Sequence, residues 1–303
     1  MRSGAETGAW SKGLRSGVYR ADLPERCAIE MNVMGVPTYM LNSRQDKNIT
    51  QIFYEWQTPS GTAHFTFSRT GNNPFPQVQH AMYFDTLLAM FANNFNSDGI
   101  LRFRFGDVLR NTGKKVDNTG CRIAIREAIW RYHTCHALWT GSFDGTEDTW
   151  SGSFILHSSF IEDTAKKFVR NPRNTLATDT WHTVQFHPFI VKAMAAGKVR
   201  LLYSQMLSCG LPHDAYIVYR YFRRFTDRQE IRRSIEQIKS AVNYQSRTSR
   251  FKIWLDKRLG ELKDAGYVQQ YSIRDTWMSV TLAPVKSKSN HEKFISWAEG
   301  FNM

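Results

Sequence analysis

Cysteine is scarce in this sequence. Four stand in 303 residues, at Cys27, Cys121, Cys135 and Cys209, widely spaced and without a Cys-x-x-Cys pair. A chain of this size with so few cysteines carries no disulfide framework, and a reducing cytoplasm is the expected setting. Long apolar runs are missing as well. Nowhere do about 18 apolar residues follow one another, so no membrane-spanning helix is expected. Residues 1–20 are polar and Gly/Ser-rich with no apolar segment, and do not read as a secretory signal.

Catalytic signatures are absent too. The nearest approach to a phosphate-binding loop runs from Gly106 to Lys115, but its spacing is Gly-x6-Gly-Lys-Lys. That is two residues too long, and Lys115 stands where a magnesium-binding hydroxyl should be. No Gly-x-Ser-x-Gly and no His-Glu-x-x-His occurs. His133-Thr-Cys-His136 offers two histidines and one cysteine, an incomplete metal set, and reads instead as a helix end packed beside Trp130. A nicking enzyme would need a His-hydrophobic-His metal pair and a nucleophilic tyrosine. His182 and His187 are five apart, while Tyr203, Tyr216, Tyr219 and Tyr221 suit helix packing. The acidic pair Glu147 and Asp148 falls in a turn and is expected to be solvated. The expectation is a protein that is not an enzyme and uses neither cofactor nor metal.

What the chain has is positive charge. Forty Lys and Arg against 27 Asp and Glu give +13. The surplus is uneven: between 198 and 264, fifteen basic residues face seven acidic ones. A balance of this kind attracts polyanions, nucleic acid above all.

The length suggests about two domains. Residues 1–35 read as a flexible tail. Gln51–Gln57 and Thr62–Ser68 alternate around the turn Thr58-Pro-Ser-Gly61, which predicts a hairpin. Val78, Met82, Leu87, Met90, Phe91 and Phe95 recur at helical spacing and predict an amphipathic helix over 76–95. A short strand at 100–103 and a short helix at 105–110 follow. Asp117-Asn-Thr119 supplies caps for a longer helix to about His136. Its stripe is Cys121, Ile125, Ala128, Ile129 and Tyr132, with Arg122, Arg126 and His133 largely off it. Strands at 138–143 and 150–160 meet through Asp144-Gly145.

A polar stretch, 162–180, carries Lys166, Lys167, Arg170 and Arg173 and reads as an interdomain linker. Then the order repeats. A short strand spans 184–187. Helices are expected over 188–196, 199–207 and 215–225. Ser234-Ile-Glu-Gln237 has capping-box spacing and opens a short helix. After a turn at 243–249, a longer helix with the stripe Phe251, Leu255, Leu259 and Leu262 runs to Ala265, stopped by Gly266. A hairpin over 267–282 and a tail, 284–303, close the chain.

The expected fold is therefore α+β: two tandem winged helix-turn-helix domains, mostly helical with short β-hairpins. The first covers 36–161 and the second 181–283. An α-helix of this kind fits the major groove, and the hairpin wing adds contacts to phosphate or the minor groove. Arg247, Arg250 and Lys252 in the second unit, and Arg122 and Arg126 in the first, are the expected base readers, with Lys257 and Arg258 on the same flank. Arg220, Arg223, Arg224, Arg228, Arg232 and Arg233 form a second basic group placed to line the phosphate backbone.

Three segments then carry a family resemblance: Gln79–Met90, Cys121–Tyr132 and Phe251–Tyr267, together with Pro188–Leu202. They resemble the entry and recognition helices of plasmid replication initiators of the RepA/TrfA-like type. That resemblance covers roughly 35–283 and implies specific binding to repeated origin sequences in duplex DNA. It also implies opening of the adjacent duplex and recruitment of host replication factors, including the replicative helicase and the host initiator, with no ATP use by the initiator itself. Some members form homodimers through the first winged helix; the sequence leaves that open. The alternative reading is a tandem winged-helix transcription regulator or DNA-organising protein.

Overall fold

The computed structural model describes residues 19–41, 49–58, 61–141, 149–159, 179–225 and 230–283. The two outer tails, the turn at Asp144-Gly145, Glu147 and Asp148, Arg228 and nearly all of the polar stretch 162–180 lie outside the described residues.

The second winged helix is laid out as its sequence dictates. α7 (His213–Arg223) leads through β10 (Glu230–Ser234) to α8 (Ile235–Ala241) and α9 (Thr248–Asp264). The hairpin β11 (Val268–Ile273) and β12 (Trp277–Leu282) completes it. Ser234 Oγ accepts from the Gln237 N–H and the Gln237 carboxamide accepts from the Ser234 N–H, the capping box that starts α8. Gly266, at φ +80, ends α9 in a conformation that any Cβ would strain. Phe251, Leu255, Leu259 and Leu262 are the buried residues of α9. Each such side chain contributes roughly 1.5–3 kcal/mol by leaving water. The sheet order is β10-β12-β11. Sequence reasoning missed β10, because Glu-Ile-Arg-Arg-Ser holds one apolar residue; pairing with β12 makes it a strand.

The first unit has the same plan with one insertion. α2 (Val78–Asn93), β4 (Ile100–Arg104), α3 (Phe105–Asn111) and α4 (Thr119–Thr134) come first. Asn118 caps α4 by accepting from the Cys121 N–H at 3.0 Å. β5 (Cys135–Thr140) and β6 (Thr149–Gly152) then join the hairpin β2 (Gln51–Thr58) and β3 (Gly61–Arg69) in a separate sheet, β2-β3-β5-β6. The wing proper is β7 (Ile155–Ser158) with β8 (Trp181–Phe186), in the order β4-β8-β7. This matches the second unit: first strand, third strand, second strand.

That topology corrects the expected boundaries. β8 belongs to the first unit, not to a domain starting at 181, and the stretch read as an interdomain linker connects two strands of one wing sheet. The error arose because β8 follows a long polar stretch, while its partners lie far back in the chain.

The N-terminal segment is a second correction. Residues 26–35 are not tail. β1 (Arg26–Glu30) pairs antiparallel with β9 (Val199–Tyr203), and α1 (Met31–Gly35) follows directly. Cys27, Ile29, Val33, Met34 and Val36 are buried. Ahead of them, Asn94 and Asn111 hydrogen-bond to the backbone of residues 20, 21 and 23. The helix expected over 199–207 is β9 followed by the single turn α6 (Gln205–Ser208), because β1 offers it a strand edge. α5 (Pro188–Ala195) packs Phe189 against Trp150 at 5.2 Å, and Trp150 Nε1 donates to His187 Nδ1 at 2.6 Å.

α2 sits at the centre. It is not half-exposed: from Ala81 to Ala92 every residue is buried, the polar Asp85 and Thr86 included. A helix apolar on most sides must be covered on all of them. Phe84 stacks on Tyr132 of α4 at 3.9 Å, and β1 and α7 also pack on α2.

Candidate nucleic-acid interface

α9 places its apolar stripe inward and a different set outward. Arg247, Ser249, Arg250, Ile253, Asp256 and Lys257 are exposed, and Lys252 is half-buried. Ile253 is 74 % exposed, a large apolar side chain in the middle of a cationic face. Of the residues expected to read DNA in the second unit, Arg250 and Lys257 are therefore accessible together on α9, with Arg247 at its N-cap.

Arg258 is different. Its guanidinium donates to both Glu261 oxygens at 2.7 Å and lies 3.6 Å from Asp214 of α7. With Trp254 Nε1 donating to Asp214 at 3.1 Å, it ties α9 to α7. Arg258 is thus half-buried and held at the contact between α9 and α7.

The second basic group is largely taken into the fold. Arg220 is 2 % exposed, and its guanidinium contacts Asp85 and the carbonyls of Val33 and Met34. Arg223 is buried and donates to the Leu201 carbonyl at 3.3 Å. Arg224 donates to the Gly35 carbonyl at 2.8 Å and stacks over Tyr221 and Phe225. Arg233 is half-buried over Phe225, 4.3 Å from the ring centroid. Only Arg232 of the described group is exposed. Arg220 and Arg223 are thus closed off from phosphate and Arg224 is half-buried: α7 is an inner helix, and these arginines donate to carbonyls of α1 and β9.

The first unit departs further. No residue of α4 beyond Gly120 is exposed. Arg126 is buried, and burial lowers its pKa from the ordinary guanidinium value. Arg122 is half-buried and bonded to Thr119 Oγ1 at 2.8 Å. Arg131 donates to the Phe75 carbonyl at 2.7 Å. Helical spacing located the apolar stripe, but it could not show that neighbouring elements also cover the flank. Arg126, expected at a groove, is instead buried in this fold.

His133 and His136 do not converge. His133 Nδ1 lies 2.9 Å from the Ile155 carbonyl, and His136 Nε2 lies 3.1 Å from Ser151 Oγ. Among the described residues, no group of three or more His, Cys, Asp or Glu is placed to hold a metal ion. Among them also, no helix is long and apolar enough to cross a membrane.

One accessible feature escaped the sequence reading. Trp181 and Trp277 are 43 % and 46 % exposed at the wings of the two units, each beneath an arginine.

Two solved structures share this architecture. A crystal structure of domains 2 and 3 of RctB, as a selenomethionine derivative, aligns with a TM-score of 0.57 at 14% identity, covering 88% of this chain and 100% of that one. A second crystal structure of RctB domains 2-3 aligns with a TM-score of 0.50 at 16% identity, covering 81% and 95%. No protein-family model and no curated protein matches the sequence. At these identities the likeness concerns the fold: an α+β chain of two winged-helix units. It does not single out the RepA/TrfA-like type.

Proposed function

We propose that this chain binds duplex DNA at a replication origin through its second winged helix and initiates replication there, with no ATPase activity of its own. The observation that carries the proposal is α9. Its leucine and phenylalanine stripe is buried, while Arg250 and Lys257 stand exposed on the opposite side around Ile253, with Arg247 at the N-cap. A helix held this way can enter the major groove, with arginine reading guanine and lysine neutralising phosphate. RctB, whose domains share the fold, is a replication initiator. Specific recognition of repeated origin sequences, as on a plasmid, recruitment of the host helicase and initiator, dimerisation through the first unit and a cytoplasmic location belong to the same proposal.

The test is a titration of salt against affinity for a duplex selected from a random pool. A groove binder loses affinity steeply on a log–log plot. Reversing Arg250 and Lys252 to Glu should abolish selective binding, whereas reversing Lys12 and Arg15 should not. A flat salt response, or equal effects of the two reversals, would defeat the proposal. Iterated short repeats beside the gene, bound by the protein, separate an initiator from a regulator.

A further inference from the structure

We infer that a duplicated arginine–tryptophan pair at the turn end of each wing, where the second strand leads into the third, is a contact to the DNA phosphate backbone. The first unit would then engage the duplex through its wing sheet and not through its long helix. The inference rests on the DNA-binding reading above and extends it to a site on the first unit.

The duplication lies in both sequence and structure. Asp179-Thr-Trp-His-Thr-Val-Gln-Phe186 and Asp275-Thr-Trp-Met-Ser-Val-Thr-Leu282 share four identities in eight positions. Trp181 begins β8 and Trp277 begins β12, the third strand of each wing sheet. Each is paired with the last residue of the first strand, Arg104 in β4 and Ser234 in β10. The two third strands bury the same alternate positions, with Val184 and Val280 at the centre.

Over each indole lies an arginine from two residues before the end of the first strand. Arg102 stands 5.5 Å from the Trp181 centroid, and Arg232 stands 5.8 Å from that of Trp277. Both arginines are exposed, and among the described residues neither has an ion-pair partner. In the first unit the ring is held further. Tyr19 meets it edge-on at 4.9 Å, and Arg104, 5.0 Å from the same ring, is anchored by Asp107 at 3.0 Å. Asp179 acts electrostatically on Arg104.

A guanidinium over an indole is fixed in plane while its N–H rim stays free. That rim matches a phosphate bidentately, and the indole edge can cover the adjoining sugar. Two exposed tryptophans at equivalent positions are costly surface for a chain that gains nothing from them. Trp150 shows the contrast: it too follows Asp-Thr, but it is buried and bonded to His187.

The experiment compares the full chain with Arg102→Gln, Arg232→Gln and the double variant on a duplex selected from a random pool. Exposed Arg→Gln changes leave the fold intact, which thermal melting checks. Each single variant should weaken binding roughly tenfold. Each should also lower the log–log salt slope by about 1, and the double by about 2. Lys192→Gln, an exposed cation on α5, should change neither. If Arg102→Gln binds like the parent while Arg250→Glu abolishes binding, the inference is overturned and the DNA reading stands. A parent chain with no salt-dependent affinity overturns both.

Discussion

Arg220 Nε donates to Asp85 Oδ2 at 2.6 Å, and the two residues belong to the first helices of different winged units. Tyr216 donates its hydroxyl proton to the same carboxylate oxygen, also at 2.6 Å. All three side chains are buried. A cluster of this kind joins the units more firmly than a linker does, since parting them would strand a charge on each side. Asp85 raises the Arg220 pKa against the opposing effect of burial, which is the larger single influence, and together with burial it holds the Tyr216 phenol well above its usual range.

Removing one partner should therefore be severe. Arg220→Met is expected to cost about 3–5 kcal/mol, because Asp85 loses its buried partner. The double change Asp85→Leu with Arg220→Met should cost less than the two single changes added together. Urea unfolding of the four proteins measures this coupling; strict additivity would show that the pair does not act as a unit.

Ile253 separates folding from recognition. At 74 % exposure it packs against little, so Ile253→Ser should shift stability by no more than about 0.5 kcal/mol. In a major groove an isoleucine is suited to a thymine methyl. The variant should lose several-fold of its preference for a selected duplex over a random one, roughly 1 kcal/mol. An equal loss on both duplexes would mean that Ile253 reads nothing.

His182 gives the fold an acid dependence. It is buried between Phe103 and Phe105, and burial pushes its pKa down from 6.5 to about 4. The unfolded chain therefore binds a proton that the folded chain refuses between about pH 4 and 6.5. In that window stability rises with pH, and below it the penalty levels off at on the order of 3 kcal/mol. His182→Met installs the residue that stands at the matching place in β12, Met278. The difference in unfolding free energy between parent and variant should favour the variant increasingly as pH falls from 6.5 to 4. A difference independent of pH would contradict the assignment.

Gly113 tests the contact between units from another side. It lies in the turn between α3 and α4 at φ +62, and a Cβ there would collide with the Ser208 carbonyl of α6. Left-handed backbone costs a non-glycine residue about 1 kcal/mol, and the clash adds to it. Gly113→Ala should lower the urea midpoint clearly, whereas Gly197→Ala, also at positive φ but with open space around it, should show the backbone cost alone. Equal losses would remove the clash from the account.

Much of the second unit was readable along the chain. The capping box at Ser234, the stripe from Phe251 to Leu262 and the stop at Gly266 are local signals, and each depends on neighbours within one or two turns. The duplicated Asp-Thr-Trp segments were equally present in the sequence. They went unread because one copy sits at the edge of a polar stretch that resembles a linker. β10 and β9 were not readable, since each becomes a strand only through a partner far along the chain.

The candidate site divides in the same way. Periodicity identified the inward face of α9, and by exclusion its outward Arg250 and Lys257, with Arg247 at the N-cap. It could not show that Arg223 and Arg126 are buried and Arg258 half-buried. An arginine has a long apolar stem and five donors, so it serves equally well at a groove or beneath a helix.

The sequence by itself determined the helices, their caps and stops, and the positive charge available to meet a polyanion, because these follow from residue type and short-range spacing. Only the tertiary structure decided which arginines remain exposed, which strand closes which wing, and that the N-terminal segment is core. Those outcomes depend on contacts between residues as far apart as Cys27 and Leu202, or Asp85 and Arg220, which no local pattern encodes.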